Sequence, residues 1–274
     1  MRVFLLTPRA ALQIMPEKNI YCVDIGNTRT HCAVVQFDGA DYRVLESSDF
    51  PSRDFAEIFV QTRPFERFDV CGLSWCSVVP AYSEKFAQAA KIFGGKVMRL
   101  THENSPILID IKKPEQLGHD RIAGAVGAAL FFEPPYISVD MGTAVTIDLV
   151  DAKGRYAGGA IAPGMHAFVA YLAERAAQLP KIDPTEADFD MVIGKDTREA
   201  MQVGCTKGFC MLADGIIADI EREYFPNRDI AAKTVFTGGS VGYLPKKWLA
   251  GRRIESNLSE LGLARSFILN EEKQ

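Results

Sequence analysis

The sequence predicts an α/β protein built from two related mixed units with a ligand cleft between them. One observation is a repeated stretch. "CVDIGNTRTH" (residues 22–31) and "SVDMGTAVTI" (138–147) superpose as an apolar strand followed by Asp, an apolar residue, Gly and small polar residues, with Asp24 matching Asp140 and Gly26 matching Gly142. A second is that each copy opens the same order of elements, a strand meander and then alternating helices and strands. A third is length: 274 residues suffice for two domains, each with its own core. A lone strand-Asp-x-Gly is a common hairpin turn; its duplication is what points to a site between two halves.

Residues 1–14 read as an extension outside the fold. Thr7-Pro8-Arg9 interrupts their short apolar stretch too early for a secretion signal, and Met15 opens the patterned region. In the first half, "NIYCVDI", "HCAVVQF" and "YRVLES", separated by turns at Gly26-Asn27 and Asp38-Gly39, predict a three-stranded meander. "SRDFAEIFVQTR" predicts a helix with Phe55, Ile58 and Phe59 on one face. "FDVCGLSWCSVVP" reads as a buried strand running into a turn at Pro80, and "YSEKFAQAAKIFGG" as a helix closed by glycines. "KVMRLT" is a further short strand. The second half repeats the order. "YISVDMGTAVTIDLVDAKGRYAGGAIAPG" is a meander punctuated at Lys153-Gly154 and Gly158-Gly159. Helices follow at "MHAFVAYLAERAAQ" and across "DTREAMQVGCTKGFCMLADGIIADIEREYF", the latter opened by the Asp196/Glu199 spacing of a capping box. "TVFTGGSVGYL" is a strand entering a Gly-Gly turn.

With 47% hydrophobic and 24% charged residues the composition is that of a soluble globular protein. A net charge of −4 gives no general attraction to nucleic acid or to anionic membranes. No apolar run approaches the length that spans a bilayer, so a cytoplasmic protein is expected. The six cysteines (22, 32, 71, 76, 205, 210) lack C-x2-C spacing and read as reduced and structural, and the four histidines lack zinc-enzyme spacing.

The two Asp-x-Gly turns suit a metal–polyphosphate. Glycine lets the backbone approach an anion and turn its N–H groups towards phosphate oxygens. Asn27, Thr28 and Thr143 add small donors at the same turns. An aspartate at the strand end holds a cation, or its water shell, against the phosphates. With the later turn "FTGGSVG", the pattern points to nucleotide binding. Gly118-His119-Asp120-Arg121 opens an Ala/Gly-rich helix. Its bland account is an Asp favoured by the helix dipole, with Arg121 as a surface partner. Its functional account is a general base beside a cation that binds an anionic substrate.

Asp24 to Thr28, Asp140 to Ala144 and Thr237 to Gly239 resemble the phosphate-1, phosphate-2 and adenosine motifs of the acetate kinase, sugar kinase, heat-shock-70 and actin superfamily. Adding Ser77 to Pro80, Gly118 to Arg121, the run from Asp140 to Asp148 and Gly158 to Gly164, the ordered set closely resembles type III pantothenate kinase. That resemblance covers nearly all of residues 20–265. It implies two ribonuclease H-like domains related by duplication, 15–118 and 119–274, with an ATP cleft between them. It implies phosphoryl transfer from ATP to pantothenate, the first step towards coenzyme A, with Asp120 as catalytic base. ATP binding would fall to Asp24, Ile25, Gly26, Asn27, Thr28, Arg29, Thr30, His31, Thr143, Thr237, Gly238 and Gly239. Substrate binding would fall to Gly118, His119 (usually Ala in the family), Asp120, Arg121 and Ile111, which stands where the family often has a substrate-contacting Tyr. Thr197, which locally reads as part of a helix cap, would reach the neighbouring subunit's site across a homodimer interface. The resemblance further implies Mg²⁺, carried with ATP near Asp24, and a monovalent cation, K⁺ or NH₄⁺, at Asp140. The helix faces "FCMLADGII" and "IAGAVGAAL" are expected to bury in that dimer. The alternatives are a non-catalytic transcriptional accessory factor of the same family or another small-molecule kinase of the superfamily; sugar kinases of that kind usually have longer chains and lack the Gly-His-Asp-Arg helix.

Overall fold

The computed structural model describes residues 17–176, 178–225 and 233–273; the expected extension at 1–14 lies outside them. Strands β1 (Lys18–Ile25), β2 (Arg29–Phe37) and β3 (Tyr42–Pro51) form an antiparallel meander. β4 (Val70–Ser77) then pairs parallel with β1, and β5 (Lys96–Arg99) parallel with β4, giving the order β3-β2-β1-β4-β5. The second sheet is built from β6 (Tyr136–Met141), β7 (Ala144–Val150), β8 (Tyr156–Pro163), β9 (Thr234–Thr237) and β10 (Arg253–Ile254), in the order β8-β7-β6-β9-β10. Its pairing matches the first sheet step for step: two antiparallel ladders, then two parallel ones. The duplication seen in the two Asp-x-Gly stretches is therefore a duplication of whole sheets.

β1 is central in its sheet and buried on both faces. Tyr21, Val23 and Ile25 pack with helices α1 (Phe55–Thr62) and α2 (Pro80–Ala89) in an aromatic cluster on one face. Ile20 and Cys22 lie on the other face, in a core shared with α3 (His119–Ala128), α8 (Leu258–Glu271) and Tyr136 of β6. The inner faces of both sheets thus meet α3 and α8 between them. In β6, Ile137, Val139 and Met141 belong to the second core instead, packed on α6 (Gly208–Tyr224). That leaves Ser138 and Asp140 on the inner face with Tyr136.

Several expectations change on contact with the structure. Pro80 starts α2 at its first turn rather than ending a strand in a loop, since its missing N–H costs nothing there. The long second-half helix is interrupted: α5 (Thr197–Gln202) passes through a π turn (Val203–Lys207) into α6, where the Thr206 hydroxyl donates back to the Gln202 carbonyl. Gly158-Gly159 does not break the second meander; β8 runs through both. The small-residue face of 122–130 buries inside the chain, not between chains. It crosses α8 so closely that a Cβ on Gly262 would lie 1.9 Å from the Ala123 carbonyl oxygen, and one on Gly127 2.1 Å from that of Leu258. In "FCMLADGII", Phe209, Cys210, Ala213 and Ile217 likewise face the second core, while Met211 stays exposed. All six cysteines are free, five of them buried and Cys71 exposed. Among the described residues no helix is long and apolar enough to cross a membrane.

Candidate active site

The two aspartates end equivalent strands. Asp24 lies between His31 of β2 and Cys76 of β4; Asp140 lies between Thr146 of β7 and Thr237 of β9. After Asp24 the chain turns tightly, with Gly26 N–H donating to the Arg29 carbonyl at 3.1 Å, and leaves Asn27, Thr28 and Arg29 exposed. After Asp140 the turn exposes Thr143. The Thr237-Gly238-Gly239 turn presses on it: Gly238 has φ +94°, and a Cβ there would fall 2.3 Å from Asp140 Oδ1. Only glycine fits that approach.

Helix α3 delivers the third carboxylate. Gly118 is its N-cap, and the first-turn Asp120 takes a hydrogen bond from the Arg121 N–H at 2.7 Å. The cleft floor is lined by Asp120, Arg121, Asp140, Asp148, Thr237 and Ser259 among others. Arg121 is locked onto Asp148, its Nε and Nη2 donating to Oδ1 at 2.9 and 2.5 Å, while the Tyr156 hydroxyl donates to the same oxygen at 2.5 Å. Gly159 makes room for this clamp, since a Cβ there would come within 2.9 Å of Arg121 Nη2.

Burial, reinforced by like charge, raises the carboxyl groups. Asp120 is pushed up to about 7, first by burial and then by Asp24. Asp140 also rises to about 7, through burial, Asp120 and Asp24 in that order. Burial lifts Asp24, against an opposing hydrogen bond from Cys76. Glu260 of α8, 3% exposed, is raised to about 8 by burial and then Asp24.

Other expected site residues lie apart. Thr30 is buried and donates to the Ser52 hydroxyl at 3.0 Å, and His31 pairs through Nδ1 with Asp49 Oδ1 at 2.5 Å. Ile25 is core, and Ile111 packs on the shared core beside Gly158. His119 is half-buried, with Nδ1 left without a hydrogen-bond partner. Thr197 is exposed at the first position of α5, behind Asp196, whose Oδ1 accepts from the Glu199 N–H at 2.8 Å. Residues not singled out from sequence also enter the site: Ser138, Thr146, Asp148, Tyr156, Ser259 and Glu260. For three of them, Ser138, Thr146 and Asp148, a signal existed. Ser138/Asp140 and Thr146/Asp148 keep strict alternation of polar residues on two adjacent strands.

Duplicated five-stranded mixed sheets, each with an Asp-x-Gly turn at the end of its central strand, define the actin and sugar kinase fold class. Within that class the chain belongs to the type III pantothenate kinase family, whose sequence model matches residues 20–219. It is 35% identical over 233 residues to the type III pantothenate kinase of Streptomyces avermitilis, covering 79% of this chain and 85% of that one. It is 31% identical over 252 residues to that of Rhodospirillum centenum, covering 89% and 96%. Solved structures share the fold at lower identity. A Campylobacter jejuni protein assigned to the Baf family of transcriptional activators superposes with a TM-score of 0.60 at 21% identity, over 92% of this chain and 99% of that one. A Listeria monocytogenes protein assigned as an N-acetylmannosamine kinase does so with a TM-score of 0.53 at 11% identity, over 92% and 99%.

Proposed function

We propose that this chain transfers the terminal phosphoryl group of ATP to the primary hydroxyl of pantothenate, giving 4'-phosphopantothenate in the first step towards coenzyme A. Beyond family membership, the observation that carries the proposal is the placement of Asp120, raised to about 7, beside the clamped Arg121 on the floor of a cleft that Asp140 and Thr237 also line. A carboxylate with that affinity for protons accepts one from an attacking hydroxyl near neutral pH. Arg121 uses two donors on Asp148 and keeps the rest of its fork for an anionic acceptor. Gly118, His119 and Ile111 are the further acceptor contacts that the family resemblance supports. Gly26 to Thr28 and Thr143 present donors to phosphates, with Thr237 to Gly239 as the adenosine turn; Ile25 and Thr30 support the first turn from the core, and Arg29 and His31 border it.

The residues fit the cations that the family resemblance implies. Asp24 raises the proton affinity of both Asp120 and Asp140, and Asp120 that of Asp140, which a bound cation would relieve, and carboxylate and hydroxyl oxygens suit hard ions. Among the described residues no three His, Cys, Asp or Glu side chains converge to hold an ion by themselves. Asp24 would meet Mg²⁺ and Asp140 a K⁺ or NH₄⁺ ion; both neutralise phosphate charge when bound. The remaining steps are positioning by the protein.

We further propose a homodimer in which Thr197 of one subunit completes its neighbour's acceptor site. Thr197 is exposed, and Val192 and Ile193 just before it are 75% and 71% exposed, an apolar segment that a partner would cover. The proposed division into units at 118/119 and a cytoplasmic location complete the assignment. Coupled ADP release tests it. Release should require pantothenate and should be stimulated by K⁺ or NH₄⁺. Release indifferent to pantothenate overturns the acceptor, and indifference to every monovalent ion overturns the role of Asp140.

A further inference from the structure

Asp24 is held from two directions by side chains outside its own turn. On one side the Cys76 thiol, directly opposite Asp24 in the parallel β1/β4 ladder, donates to Asp24 Oδ1 at 3.2 Å. On the other, Ser259 in the first turn of α8 lies close enough to lower the proton affinity of the same carboxylate and lines the cleft floor with Asp120 and Asp140. Both groups sit on fixed supports. Cys76 is fully buried, and α8 is tied to β4 by the Ser74 hydroxyl donating to the Leu263 carbonyl at 2.9 Å. The duplication adds a third observation: the register position that Cys76 holds beside Asp24 is held in the second sheet by Thr237 beside Asp140. Each strand-end aspartate therefore has a small donor on its parallel neighbour. An aspartate carboxylate turns about two bonds, so anchoring one oxygen leaves the other with a defined direction. A thiol is a weak donor and does this without taking much of the carboxylate's charge.

We propose that Cys76 and Ser259 are positioning residues for Asp24, fixing its carboxylate so that one oxygen faces the metal–nucleotide. This rests on the assignment of Asp24 to Mg²⁺·ATP above. The test is calorimetric binding of a non-hydrolysable ATP analogue, with and without Mg²⁺, alongside steady-state kinetics. Cys76→Ser, which keeps a donor of similar size, should bind within about twofold of the parent protein. Cys76→Ala and Ser259→Ala should each weaken Mg²⁺-dependent binding about threefold to tenfold, the scale of one lost hydrogen bond. They should leave metal-free binding unchanged and raise the KM for ATP, not that for pantothenate. Ser259 is partly exposed, so its variant reports even if Cys76→Ala fails to fold. Unchanged Mg²⁺-dependent binding in the alanine variants overturns the proposal. So does equal weakening with and without metal, or a Cys76→Ser protein as weak as Cys76→Ala. A parent protein that binds the analogue with Mg²⁺ but does not phosphorylate pantothenate overturns the acceptor assignment alone. One that binds no analogue overturns both.

Discussion

The proton affinity of Asp120 is raised first by burial and then by the neighbouring carboxylates Asp24 and Asp148. Asp120→Asn keeps the size and an oxygen to accept from the Arg121 N–H but removes the base; kcat should fall roughly 10²-fold or more with an unchanged circular dichroism spectrum. In the parent protein, kcat/KM for the acceptor should rise with pH through about 7 and level off above it, because only the ionised carboxylate accepts a proton. Asp24 is the largest raising influence after burial, so in Asp24→Asn that limb should move to lower pH. A limb that stays put would show that Asp24 does not act on Asp120. The three aspartates were legible in the sequence because each sits in a short local pattern of turn and glycine. Their partners were not: Cys76 meets Asp24 across a strand pairing, Asp148 meets Arg121 across a helix-to-sheet contact, and Ser259 arrives from the far end of the chain.

At the scale of elements, strands β1 to β9 were readable from apolar runs bounded by turns, and so were the helices α1, α2 and α4 (Met165–Arg175), whereas the two-residue β10 was not. Helix α8 was not. It is buried on nearly every side, from Leu258 through Ile268, so it has no apolar stripe at a period of 3.6 to betray it, and it even hides Glu260. The Ala/Gly face of α3 was legible as a tight packing surface, but sequence alone could not say that its partner is α8 of the same chain. That crossing makes a specific prediction. Gly262→Ala would drive a methyl into the Ala123 carbonyl, so the helices must separate, at a cost of about 1–3 kcal/mol or more in urea unfolding. Because α3 carries Asp120 and α8 carries Ser259, activity should fall further than the folded fraction does. Activity that tracks the folded fraction would mean that the crossing does not set the site.

For the whole molecule, the repeated Asp-x-Gly stretch announced the duplication, and the matching sheet orders extend it to the complete strand pattern. The dimer offers the clearest test at this scale. Mixing inactive Asp120→Asn subunits with inactive Thr197→Ala subunits under exchange conditions should restore part of the activity, since one site in each mixed dimer has all its residues. No recovery in proven heterodimers, or a fully active monomer, would refute a shared site. Helix α8 has one more consequence, for synthesis. Phe267 fills the space over Gly72 of β4, where a Cβ would fall 2.1 Å from its ring, and α8 packs along β1 of the first sheet. A nascent chain therefore cannot close the core of its first half until α8, which follows both sheets in the chain, has been made. Premature termination before residue 258 yields not a shortened kinase but an N-terminal half with an open apolar face, a substrate for chaperones and proteases.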